Sequence, residues 1–157
     1  MKELSLSNSE LKALVDDEDY EKAKNFLWQI HFQEQKPCRI VRSLKNCRHQ
    51  SLTAFIFNDE GALIDHKDRN IFNNQKTNLR YADNTDNVCN REKFKGSYSS
   101  KYKGVHWSDF HKKWRGVLWY KKKQYHLGYF ETDKEAAIAY NNKAIEIHKE
   151  FACLNVI

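Results

Sequence analysis

The sequence is poor in paired cysteines, in long apolar runs and in acidic surplus. Cys38, Cys47, Cys89 and Cys153 form no Cys-x-x-Cys pair of the kind that holds a structural zinc. Cys38, Cys47 and His49 offer three ligands of two types, a partial site at most, and reduced thiols are the expectation. No run of eighteen apolar residues is present, which excludes a membrane-crossing helix. The N-terminus has no signal-peptide core. A soluble intracellular protein, in the cytoplasm or inside a host cell, is therefore expected.

What is present points to a polyanion. Net charge is +6 and the pI about 9.1, and such a balance favours nucleic acid. The charge is uneven. Residues 1–37 carry five Lys against eight Asp and Glu, a net of −3, whereas residues 91–130 carry eleven Lys and Arg against two acids, a net of +9. At 157 residues the chain suits one domain or two small ones. Small units have thin cores, and four Trp, eight Tyr and nine Phe supply the bulk.

The chemistry concentrates in residues 61–91, GALIDHKDRNIFNNQKTNLRYADNTDNVCNR. Ala62-Leu63-Ile64 reads as a strand that delivers Asp65 and His66 at its end. An Asn-rich loop follows, Asn70-Ile71-Phe72-Asn73-Asn74. A helical turn is predicted over Gln75–Tyr81, carrying Asn78, and Asn87 and Asn90 close the segment. An acid, an imidazole and several amides suit hydrolysis of a phosphodiester. Water must lose a proton near neutral pH, where imidazole titrates. The developing charge needs a hard cation, and magnesium takes oxygen ligands and keeps several waters.

This segment resembles the HNH nuclease motif of the ββα-metal fold, in its homing-endonuclease branch. The matching residues are Asp65-His66, Asn73-Asn74, Asn78-Leu79-Arg80, Asn87 and Asn90. The resemblance implies that His66 is the general base, that Asp65 and Asn87 hold a magnesium or other divalent ion, and that Asn78 fixes the imidazole or the helix. Two departures bear on cleavage rather than fold. The family has a His-Arg-Leu-Ile segment where Thr53-Ala54-Phe55-Ile56 stands, and often a Gly where Arg69 stands.

Upstream, Lys2–Leu6 and Ala13-Leu14-Val15 read as strands. Asp16-Asp17-Glu18-Asp19 supply an N-cap and a first-turn acidic cluster, with Tyr20, Ala23 and Leu27 on one helical face and Trp28 after it. This resembles the small module found ahead of such nuclease motifs. Arg39–Ser43 and Ser51–Phe57 read as strands, the second with Leu52, Ala54 and Ile56 on one face. The organisation expected is an N-terminal module plus nuclease unit over 1–91, a linker over 92–100 and a second unit over 101–157.

In that second unit, strands are predicted over Tyr102–Ser108, Lys113–Lys121 and Gln124–Phe130, with a turn at Lys121-Lys122-Lys123. Trp114, Gly116, Leu118 and Tyr120 alternate with Arg115, Val117, Trp119 and Lys121. Tyr125 and Leu127 are expected to point inward. Thr132–Glu135 is a capping box, and Ala137, Tyr140, Ala144 and Ile147 form a helical stripe. The fold class expected is α+β: an HNH-like ββα-metal unit, then a three-stranded antiparallel sheet packed on one helix. A sheet with cations and aromatics on its open face suits a DNA groove.

The unit resembles the APETALA-type, or ethylene-response-factor-type, DNA-binding domain. Tyr102–Val105, Trp114, His126–Phe130, Glu135–Ala137, Ala139-Tyr140 and Leu154-Asn155 carry the likeness. By that resemblance Lys103, His106, Val117, Trp119, Gln124 and His126 contact double-stranded DNA, and Arg115 and Lys121 join them on the open face. Homing nucleases of phages and mobile elements combine these two parts. The function expected is a magnesium-dependent endonuclease. The rival is a DNA-binding regulator, or an inhibitor of a nucleic-acid enzyme, built on the same fold without cleavage.

Overall fold

The computed structural model describes residues 1–93 and 96–157. It is a mixed α+β protein with small antiparallel sheets and few helices, divided into two compact units, Met1–Ala82 and Asp83–Ile157. Among the described residues no helix is long and apolar enough to cross a membrane.

In the first unit, β1 (Lys2–Leu6) and β2 (Ser9–Val15) form an antiparallel hairpin. Helix α1 (Asp17–Ala23) follows. Strands β3 (Gln29–Gln33), β4 (Lys36–Ser43) and β5 (His49–Ser51) make a sheet in that order. The core forms around Trp28, which is fully buried among Leu4, Leu6, Ala13, Val15, Ala23, Ile30, Ile40 and Leu52. Its indole N–H would be costly to bury unpaired, and it donates to the Ala23 carbonyl at 3.0 Å. Leu27, expected on the buried face of α1, lies beyond the helix and is exposed. Trp28 takes the apolar role instead.

Ser51–Phe57, expected as a strand, is largely helix α2 (Leu52–Phe57). Ser51 caps it, its hydroxyl accepting from the Ala54 N–H at 3.1 Å. Leu52, Phe55 and Ile56, at helical spacing, all pack on the core. Short apolar runs fit both periods, and here the cap decides. The helical turn expected over Gln75–Tyr81 is likewise corrected. Only residues 76–78 turn, and Leu79–Tyr81 is strand β7, paired antiparallel with β6 (Ile64–His66). That pairing gives the backbone of Leu79–Tyr81 the partners that one short helical turn would leave unfilled.

The second unit starts with α3 (Asn84–Cys89), closed by a reciprocal capping box between Asp83 and Asp86. The expected linker, 92–100, includes Phe94 and Lys95, which lie outside the described residues. Its described end is anchored. Ser100 is buried and its hydroxyl donates to Asp133 at 3.1 Å, while the Lys93 ammonium donates to the Ser100 and Tyr102 carbonyls. Strands β8 (Val105–Ser108), β9 (Lys113–Tyr120) and β10 (Lys123–Phe130) form an antiparallel sheet with β9 central. Helix α4 (Asp133–His148) packs on one face, and the Thr132–Glu135 capping box starts it. Tyr102, Val105, Trp114, Leu118, Phe130, Ala136, Ala137, Tyr140 and Ala144 fill the interface. Gly104 has φ +75, and a Cβ there would lie 2.2 Å from the Tyr140 ring, so only glycine fits.

Candidate nuclease strand and nucleic-acid face

Pairing of β6 with β7 sets Asp65 opposite Arg80 and His66 opposite Leu79. Opposed residues share a face. Asp65 Oδ2 therefore accepts from Arg80 Nε at 2.9 Å and Nη2 at 2.7 Å, with both side chains buried. Arg80 stood in the family motif, yet nothing in its spacing singled it out as the partner of the proposed metal ligand. The opposing register is the signal, and it emerges only once 79–81 is a strand.

His66 Nε2 lies 3.2 Å from Asn74 Oδ1. The Asn74 amide donates to the Ile71 carbonyl at 2.8 Å, which turns its oxygen toward the imidazole. An amide oxygen only accepts, so Nε2 carries the proton and the lone pair of the neutral ring lies on Nδ1. Burial pushes the His66 pKa below its usual value, against the bond to Asn74 and the nearby Asp68 and Asp65 charges. That direction favours the neutral ring, the state a general base requires.

Asn78 acts on the loop rather than on the imidazole. Its amide donates to Asp68 Oδ1 at 2.9 Å and to the Asn73 carbonyl at 2.8 Å, and its oxygen accepts from the Asp68 N–H. Burial would raise the Asp68 pKa, but the Asn70 N–H and the Asn73 and Asn78 amides hold its carboxyl below the usual range. The orienting amide is Asn74. Its N–H donates to the Leu14 carbonyl, the Leu14 N–H donates to the Phe72 carbonyl, and Asn74 is buried. The acidic run before α1 braces the same loop. Asp16 Oδ2 accepts from the Lys76 N–H at 2.9 Å, and Asp19 pairs with the Lys76 ammonium at 3.0 Å. Capping was the role expected for Asp16, yet its side chain makes no cap bond. Arg69 has φ +63, a conformation in which glycine is unstrained. Asn87 lies on α3, its N–H bonded to the Asp83 carbonyl.

The open face of the C-terminal sheet follows from its register. His106, Arg115 and Tyr129 form one row, Val117 and His126 a second, Trp119 and Gln124 a third. Trp119 is 61 % exposed, and Gln124 and His126 are exposed too. Val117 is buried, unlike the other residues of the expected contact set on this face. Burial, with Lys93 and Arg115 nearby, lowers the His106 pKa. Lys103 is used elsewhere, its ammonium donating to the Cys89 and Arg91 carbonyls at 2.9 and 2.6 Å. Lys121 lies 3.8 Å from Asp83 as an exposed pair. Strict alternation sends Tyr129 inward, but the register shifts between His126 and Gly128, and Gly128 has φ +117. This bulge turns Tyr129 outward and Phe130 into the core. Comparison with protein-family models, with curated proteins and with solved structures finds no match to this chain.

Proposed function

We propose that this chain is a divalent-metal-dependent DNA endonuclease of HNH homing type, with the C-terminal sheet holding the duplex. The carrying observation is His66, a half-buried imidazole at a strand end whose Nε2 is fixed by Asn74 and whose pKa burial lowers. Its Nδ1 lone pair takes the proton of the attacking water. Asp65 supplies the hard oxygen for magnesium, and the ion when bound neutralises charge on the phosphate. The donor type fits such an ion, provided that Arg80 releases the carboxylate it now holds. Trp119, Arg115, His126 and Gln124 face the duplex, and Lys121 meets its phosphates.

A second reading draws on that same ion pair. With Asp65 committed to Arg80, the unit keeps its fold without a metal and serves as a DNA-binding regulator or as an inhibitor of a nucleic-acid enzyme. Incubation of supercoiled plasmid with the protein and magnesium, against a chelator control, separates the two. Nicked or linear product with magnesium alone supports the endonuclease. Binding without product under any divalent ion supports the regulator.

A further inference from the structure

The loop joining β8 to β9, Asp109-Phe110-His111-Lys112, presents Phe110 at 90 % exposure, the most exposed aromatic side chain among the described residues. Lone exposed apolar residues are ordinary, but this one is backed and aimed. Trp107 Nε1 donates to Asp109 at 3.2 Å. Ser108 Oγ bonds His111 Nδ1 at 3.1 Å and accepts from the His111 N–H at 3.4 Å. His111 then stacks on Tyr129, with ring centres 3.8 Å apart and planes 27° from parallel. Phe110 meets His111 at 4.9 Å and Tyr129 meets His126 at 4.9 Å. Four rings thus run as a column from the open sheet face to the hairpin tip. The tip also carries Lys112, suited to a phosphate, while Lys113, which opens β9, pairs with Glu131 at 2.6 Å.

We propose that Phe110 is a wedge that enters between adjacent base pairs of the bound duplex, opening and kinking that step. The inference rests on the reading that the second unit binds duplex DNA. Apolar side chains unstack and bend DNA in this way, and pyrimidine–purine steps yield most easily. Behind the ring, Phe110 meets His111 edge to face, and His111 is itself stacked on Tyr129. The ring, wet in the free protein, is buried between bases in the complex. Neither Arg115 nor Trp119 needs to read a base at the opened step, so Phe110 selects sites by deformability.

The test uses the full chain, a short mixed-sequence duplex with 2-aminopurine placed at successive TA steps, and the same duplex labelled at both ends for energy transfer. Wild type is expected to raise 2-aminopurine fluorescence at one step and to shorten the end-to-end distance. Phe110→Ala should lose both signals while keeping the wild-type salt slope, and Phe110→Trp should keep them. A mismatch at the opened step should tighten wild-type binding about tenfold by removing unstacking cost, and leave Phe110→Ala unchanged. Wild-type binding without step opening, or opening and bending retained in Phe110→Ala, overturns the wedge and leaves DNA binding standing. Release of a protein partner by Phe110→Ala with unchanged DNA signals assigns the ring to that partner instead. Failure of wild type to bind any duplex overturns the underlying DNA reading and the wedge with it.

Discussion

His66 and Asp65 are neighbours in sequence but are held by opposite means, one by an amide and the other by a guanidinium. Burial lowers the His66 pKa from 6.5, so between 6.5 and the folded value the unfolded chain binds the extra proton. Stability of the first unit is then lost as pH falls below about 6.5, and is unaffected above it. His66→Gln should flatten that part of a urea-midpoint profile, and a wild-type slope retained in the variant would assign it to another group. Under the endonuclease reading, His66→Ala lowers single-turnover cleavage by about a hundredfold to ten-thousandfold with DNA affinity kept. An unchanged rate would show that another group is the base. Asp65 needs a different design. Removing one member of a buried ion pair costs about 3–5 kcal/mol, so Asp65→Ala should lose activity through unfolding alone. Asp65→Leu with Arg80→Met should recover most of that stability, since apolar replacement of both partners is close to neutral. A loss under about 1 kcal/mol in Asp65→Ala, read by urea denaturation, would mean that the pair is not a structural latch.

At the scale of elements, the turn between β9 and β10 breaks a local rule. Tyr120 pairs with Lys123, so Lys121 and Lys122 form a two-residue loop, with φ +47 and +64. That geometry favours Asn-Gly, and two lysines there cost roughly 1 kcal/mol or more of backbone strain. A local rule broken with no gain beyond the exposed Lys121–Asp83 pair points to function. Lys121→Asn with Lys122→Gly is expected to raise stability by about 1 kcal/mol. It should also reduce the slope of log affinity against log salt by about 0.9 for each phosphate no longer neutralised. Denaturation and fluorescence anisotropy read the two effects. Lower stability would refute the turn assignment, and an unchanged slope would take the lysines off the phosphates. The same elements show what was legible. The C-terminal strands and the Thr132 capping box were readable because alternation and cap chemistry are local. The strand that carries Asp65 and His66 was readable only in part, since it spans Ile64–His66 and the expected Ala62 and Leu63 lie before it. Helix α2 was not, because the same run carries a strand set, Leu52, Ala54 and Ile56, and a helical set, Leu52, Phe55 and Ile56, and the Ser51 cap had to arbitrate. Strand β7 was hidden because its three residues acquire a strand's hydrogen bonds only from β6. Tyr129 was missed because a bulge at Gly128 reverses the parity of a strand, and Asn74 because its partner lies across a loop.

For the whole molecule, under the proposed DNA reading, the question is which part would carry the affinity. Residues 1–82 hold thirteen Lys and Arg against twelve Asp and Glu, net +1, and residues 83–157 hold fourteen against nine, net +5. The second unit also owns the open face with Trp119 and Arg115. A fragment meant to test it should begin at Asp83 rather than in the 92–100 segment. Lys103 grips the Cys89 and Arg91 carbonyls, and α3 packs against the 3-10 turn Lys149–Phe151 that follows α4. Cutting at residue 98 strands that ammonium and removes α3, so 98–157 should be less stable than 83–157 by circular dichroism melting. Fragment 83–157 is expected to bind duplex DNA without the first unit. If about six phosphates are neutralised, its affinity should fall about a thousandfold between 50 and 200 mM salt. Arg115→Glu with Lys121→Glu should weaken binding to every sequence alike, since phosphate contacts carry no sequence information. Fragment 1–82 should bind weakly, as its charge is nearly balanced. Anisotropy titrations of both fragments against one labelled duplex decide the matter. A folded 83–157 that fails to bind, beside a 1–82 that binds as the full chain does, would move the DNA interface to the nuclease-like unit.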